Sequence, residues 1–141
     1  MGPEAFKSLW RLMYAEFTGP RRLDNLIWVL GWAGQNVDPT YYPGRSFVDV
    51  AGADLYVEDH GPLAAMFGQL KAIVGDTLPI CLHENGPVPD PAMLGPSADW
   101  LWFLTWHTRW LTDPSQNTPE ALRRFYASER YLTRDELPRL G

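Results

Sequence analysis

Four short apolar runs, at residues 25–30, 47–56, 78–83 and 100–106, alternate with stretches of helical periodicity. That alternation restricts the fold more than any other feature. Strands that are apolar throughout and separated by helices belong in a parallel α/β sheet covered by helices. Phe6, Leu9, Trp10, Met13 and Phe17 share one helical face, and Gly19-Pro20 ends that helix. Leu63, Met66, Phe67, Leu70 and Val74 mark a second helix closed by Gly75. Thr118-Pro119-Glu120 is a strong helix start, with an N-cap hydroxyl, Pro at the first position and an acid in the first turn. Leu122, Phe125 and Tyr126 should form its buried face.

Polar and aromatic residues collect just past each run: Trp32, then Asp54 and Tyr56, then His83 and Glu84, then Trp106 and His107. Parallel α/β proteins build their sites at the carboxyl ends of strands, so this clustering points to one site. Glu84 stands at the tip of a buried strand and is followed by a loop containing Pro87, Pro89 and Pro91. A carboxylate held that rigidly suits nucleophilic attack, although a solvated acid at a strand end fits the position alone equally well. Strand alternation over 100–106 places Trp100, Trp102 and Trp106 on one side and Phe103 on the other.

Composition narrows the field. The chain of 141 residues is long enough for one domain with a real core. It holds 7 Trp, 6 Tyr and 6 Phe, which require a thick core, a stacking surface, or both. The net charge is −5, and the longest basic runs are Arg21-Arg22 and Arg123-Arg124, so no phosphate-backbone footprint exists and no nucleic acid is expected. The single Cys81 excludes an internal disulfide or a cysteine metal cluster. No apolar run approaches the roughly 18 residues of a membrane span, and the first residues lack the segments of a signal peptide. A full (β/α)8 barrel needs about 250 residues, so four strands in this length amount to half of one. Its outer strands would need a partner half or self-association.

Several words of the sequence carry a resemblance. They are Asn25-Leu26-Ile27-Trp28-Val29, Tyr41-Tyr42-Pro43-Gly44 leading to Phe47-Val48-Asp49-Val50, and Gly52-Ala53-Asp54-Leu55-Tyr56. His83-Glu84-Asn85-Gly86-Pro87, the aromatic run from Trp100 to Trp106 and Leu132-Thr133-Arg134-Asp135-Glu136-Leu137-Pro138 complete the series. In order and spacing they resemble the β-mannanases of glycoside hydrolase family 26 over nearly the whole chain. The resemblance implies the C-terminal half, strands five to eight, of a (β/α)8 TIM barrel, with residues 1–141 as one partial catalytic domain. It implies a retaining endo-β-1,4-mannanase acting on β-mannan or a related polysaccharide, without cofactor or metal.

On the same resemblance Glu84 is the nucleophile, Tyr56 the phenol that orients it, and Trp106 the platform under the sugar. Trp32, His83 and His107 are further sugar contacts. The acid/base belongs to strand four, ahead of this chain, so the chain is expected to begin inside its architecture. Family members are usually exported, which implies an extracellular or periplasmic parent protein.

Two rivals stand beside this reading. His60, His83 and His107 follow successive strands and could gather a metal for a metal-dependent barrel hydrolase, with Asp54 or Glu84 assisting. Alternatively the half-barrel binds carbohydrate without cleaving it.

Overall fold

In the computed structural model, which describes residues 1–138, four parallel strands lie in chain order in one sheet. They are β1 (Val29–Ala33), β2 (Val50–Leu55), β3 (Ile80–Asn85) and β4 (Phe103–Thr105). The helices are α1 (Pro3–Thr18), α2 (Ala64–Val74), α3 (Arg109–Thr112) and α4 (Pro119–Tyr126). The parallel α/β architecture expected from the alternation is present.

The core lies on the helix side of the sheet. Leu30 and Trp32 of β1, Ala51, Ala53 and Leu55 of β2, and Ile80 and Leu82 of β3 pack with Met66, Phe67, Leu70 and Val74 of α2. The other face is lined by small and polar residues: Gly31 and Ala33 are exposed, and Gly52, Asp54 and His83 share that side. Gly52 is required there, because a Cβ would stand 2.7 Å from the Cβ of His83.

Element boundaries depart from the sequence reading in ways that packing explains. The first strand begins at Val29 rather than at residue 25. Trp28 is drawn instead into an aromatic cage on α1, with ring centroids 5.8 Å from Trp10, 5.2 Å from Tyr14 and 5.9 Å from Phe17. Its backbone N–H donates to Asp49 Oδ2 at 2.8 Å, outside the sheet ladder. The second strand starts at Val50, after a 3₁₀ turn over Arg45–Phe47. The third runs past His83 to Asn85, so Glu84 lies within the ladder and not beyond it.

The last strand is only three residues long. The expected alternation over 100–106 therefore fails. Trp100 precedes the strand and is buried edge-on against Phe67 at 5.1 Å, its Nε1–H donating to the Pro62 carbonyl. In α4, Thr118 caps the helix as expected, accepting from the Ala121 N–H. Its buried residues are Ala121 and Phe125, while Tyr126 is exposed.

One irregularity bears directly on the site. Ala53 pairs with Leu82 and Asp54 with Glu84, so β3 holds one residue more than β2 at this point. On the other side Leu82 pairs with Phe103 and Asn85 with Thr105, and β3 is again longer by one. A bulge at His83 and Glu84 accounts for both shifts, and bulges re-aim the side chains around them.

Candidate active site

The carboxyl ends of β2, β3 and β4 converge, because parallel strands in one sheet all end on the same side. From β2 comes Asp54, with Tyr56 just past its end; from β3 come His83, Glu84 and Asn85, and just after β4 Trp106 and His107.

Tyr56 Oη donates to Glu84 Oε2 at 2.6 Å, the length of a hydrogen bond to a charged acceptor. Burial pushes the phenol's ionisation well above its ordinary value, and the bond to Glu84, that carboxylate's charge and the charge of Asp54 push it further. The phenol therefore remains a donor. Beside this pair, His83 Nδ1 and Asp54 Oδ1 are 2.6 Å apart. Tyr56 follows β2 directly and, two residues after Asp54, keeps the strand's alternation toward the same side. Their partners His83 and Glu84 are adjacent, and the bulge lets both reach that side.

Behind the carboxylate, Asn85 is fully buried. Its Nδ2 donates to the Pro87 carbonyl and to Thr105 Oγ1, each at 3.0 Å, joining the end of β3 to β4 and to the Pro-rich loop. Asn117 is buried as well. Its Oδ1 accepts the Val88 N–H at 2.8 Å, and its Nδ2 donates to the Trp110 carbonyl. Sequence reasoning gave neither a role, since a single Asn, at a strand end (Asn85) or in a loop (Asn117), carries no periodic signal.

Trp106 is 39% exposed, and its backbone N–H donates to the Asn85 carbonyl at 2.8 Å, which fixes it beside the strand end bearing Glu84. Its ring lies 5.0 Å from that of His107, whose Nδ1 faces Thr108 Oγ1. The structure corrects Trp32. That residue lies on the helix side of β1, only 7% exposed, with Nε1–H donating to the Asp38 carbonyl at 3.0 Å and its ring beside Tyr42. The even spacing that buries Leu30 also buries Trp32, so it has no face to offer a ligand.

Trp110 was also missed. Its ring packs 5.1 Å from Tyr56, and Arg109 lies 4.9 Å from the same ring.

The three histidines do not assemble. His60 Nδ1 meets the Val88 carbonyl, His107 meets Thr108, and His83 meets Asp54. Among the described residues, one trio has ligand atoms close enough for a metal ion, Asp54, His83 and Glu84, all within 4.8 Å of one another. Two short hydrogen bonds already engage these side chains, one between Asp54 and His83 and one from Tyr56 to Glu84. No helix among the described residues is long and apolar enough to cross a membrane.

A mannan endo-1,4-β-mannosidase of Thermothelomyces thermophilus is 35% identical over 96% of the chain, which spans 28% of that relative's length. The crystal structure of the Podospora anserina GH26-CBM35 β-(1,4)-mannanase superimposes with a TM-score of 0.88 and 38% identity, covering 96% of this chain and 30% of that one. The β-mannanase from a symbiotic protist of the termite Reticulitermes speratus, solved with a gluco-manno-oligosaccharide, gives 0.85 and 30% identity over 97% of this chain and 42% of its own. With residues 1–136 matching the model for glycosyl hydrolase family 26, the chain belongs to that family.

Proposed function

We propose that this chain is the nucleophile-bearing half of a retaining endo-β-1,4-mannanase, with Glu84 as the group that attacks the sugar. The supporting observation is the 2.6 Å bond from Tyr56 to Glu84 at the carboxyl ends of neighbouring parallel strands. In this reading β1 to β4 are strands five to eight of a (β/α)8 barrel. Four further strands, or a second copy, cover the edges at β1 and β4. An open groove along β4, lined by Phe103, Leu104, Tyr126, Leu132 and Leu137, supports such a cover at that edge.

The chemistry follows from the two-carboxylate scheme. Glu84 attacks the anomeric carbon of a β-mannan unit while a carboxylic acid protonates the departing oxygen. The same acid then activates water, which releases the sugar with its configuration retained. Tyr56 holds the attacking carboxylate in line, Trp106 offers a flat face to the pyranose, and His83 and His107 contact its hydroxyls. Asp54 is near enough to Glu84 to be considered as the second carboxyl, but its Oδ1 is committed to His83. The family resemblance implies instead an acid/base on strand four of the complete barrel, ahead of this chain. A polysaccharide substrate does not cross membranes, so this reading places the enzyme in the extracellular space or periplasm.

A test separates attack from binding. A 2,4-dinitrophenyl β-mannobioside needs no acid to lose its aryl group. With it the protein should release a burst of dinitrophenolate and carry a mannobiosyl ester on the peptide holding Glu84, and Glu84→Gln should show neither. An ester on another residue, or an undiminished burst from Glu84→Gln, would sink the assignment. Binding of mannan without any burst would favour the non-catalytic reading.

A further inference from the structure

Tyr56 is 40% exposed, and a phenol so open would sample several rotamers unless something held it. The neighbour that holds it is Trp110, whose ring centroid lies 5.1 Å from that of Tyr56 at an interplanar angle of 43°. Trp110 approaches this closely because residue 86 is glycine. A Cβ on Gly86 would stand 2.7 Å from Trp110 Cζ3 and 2.9 Å from Cε3. Gly86 follows Glu84 by two residues, so the indole touches both the strand end that carries the carboxylate and the phenol bonded to it.

The main chain of Trp110 is fastened as firmly as its ring. Asn117 donates to the Trp110 carbonyl and accepts the Val88 N–H, so one buried amide ties residue 110 to the Pro-rich loop. Thr108, two residues earlier, has φ 55°, a left-handed conformation that a β-branched residue adopts only when its surroundings impose it.

We propose that Trp110 is a positioning residue: wedged between Gly86 and Tyr56, it fixes the phenol that orients the Glu84 carboxylate. The inference rests on the reading of Glu84 and Tyr56 given above. Trp110 acts through Tyr56 and need not touch the sugar.

A double-mutant cycle tests this, using the first step on 2,4-dinitrophenyl β-mannobioside. In that step Glu84 Oε bonds to the anomeric carbon, and the bond to the aryl oxygen breaks with its electron pair leaving on dinitrophenolate. Trp110→Ala should lower kcat for this step on the order of tenfold with little change in KM. Trp110→Phe should recover most of the rate. In a Tyr56→Phe background, Trp110→Ala should cost no more than about twofold, because the group it positions is gone. Gly86→Ala should reproduce the Trp110→Ala loss, and it serves in the same cycle if Trp110→Ala fails to fold. A tenfold loss that persists in the Tyr56→Phe background, or a loss confined to KM, overturns the inference while leaving Tyr56 and Glu84 in place. Undiminished activity in Tyr56→Phe alone overturns the reading of the site itself, and this inference with it.

Discussion

His83 and Glu84 are consecutive in the chain, yet both reach across the same face of the sheet, His83 to Asp54 and Glu84 to Tyr56, each at 2.6 Å. In a regular strand with Leu82 facing the helices and His83 the open side, Glu84 would turn back into the core. The extra residue in β3 prevents this. Asp54 then pairs with Glu84, and Leu55 with the buried Asn85. The bulge thus supplies two short hydrogen bonds where regular pairing would supply one.

The Asp54–His83 pair should behave as a unit. Asp54→Asn keeps the size of the side chain but removes its charge, and His83→Ala removes the partner. Each should lower the rate of the dinitrophenolate burst from 2,4-dinitrophenyl β-mannobioside roughly tenfold, and the double variant should be little worse than either single. Burst kinetics on the four proteins checks this. Fully additive losses would show that the two side chains work separately.

Tyr56 sets a limit on stability in alkali. Its ordinary ionisation at 10.0 is raised in the folded chain, so above that pH the unfolded chain loses a proton that the folded chain keeps. Stability is therefore whole below about pH 10 and declines as the pH rises beyond it. Denaturant titrations between about pH 9 and 11 should show a steeper decline for the parent than for Tyr56→Phe. Equal slopes would mean that the phenol does not ionise on unfolding.

Asn117 is a structural fastener. Asn117→Ala leaves the Val88 N–H buried without its acceptor, which should destabilise the protein by about 1–3 kcal/mol. Chemical denaturation measures this directly. A change below about 0.5 kcal/mol would show that water replaces the amide.

Cys81 should be inert while the protein is folded. Burial, helped by the negative charge of Asp54, pushes its thiol up to about 12, and the side chain has no solvent exposure. Iodoacetamide at pH 8 should leave the native protein unmodified and alkylate it fully in denaturant. Rapid labelling of the native chain would contradict the packing around β3.

Much of the fold was legible in the sequence because it follows from periodicity. The spacing of Leu63, Met66, Phe67, Leu70 and Val74 gave α2, and Thr118-Pro119-Glu120 gave the start of α4. Strand limits were less legible. An apolar run such as residues 25–30 serves a ladder and an aromatic cage equally well, and only the aromatics of α1 decide where Trp28 goes. Of the site, the convergence of Tyr56 and Glu84 could be anticipated, since both lie near the carboxyl ends of successive apolar runs. The misplacement of Trp32 came from counting strand ends without counting faces. Trp110 could not be anticipated, because its contact with Gly86 joins the short helix α3 to the loop after β3 and leaves no local pattern.

The cage around Trp28 has a mechanical consequence. Helix α1 is fastened to the connector between β1 and β2 as well as to Trp28: Trp10 Nε1–H donates to the Phe47 carbonyl, Arg11 to the Pro43 carbonyl, and Phe6 meets Tyr41 edge-on. Pulling the first helix away would unspool the connector before it strained the β2–β3 seam. The amino-terminal segment is thus a clasp on one loop, and the strand ends that gather Tyr56 and Glu84 stand outside its grip.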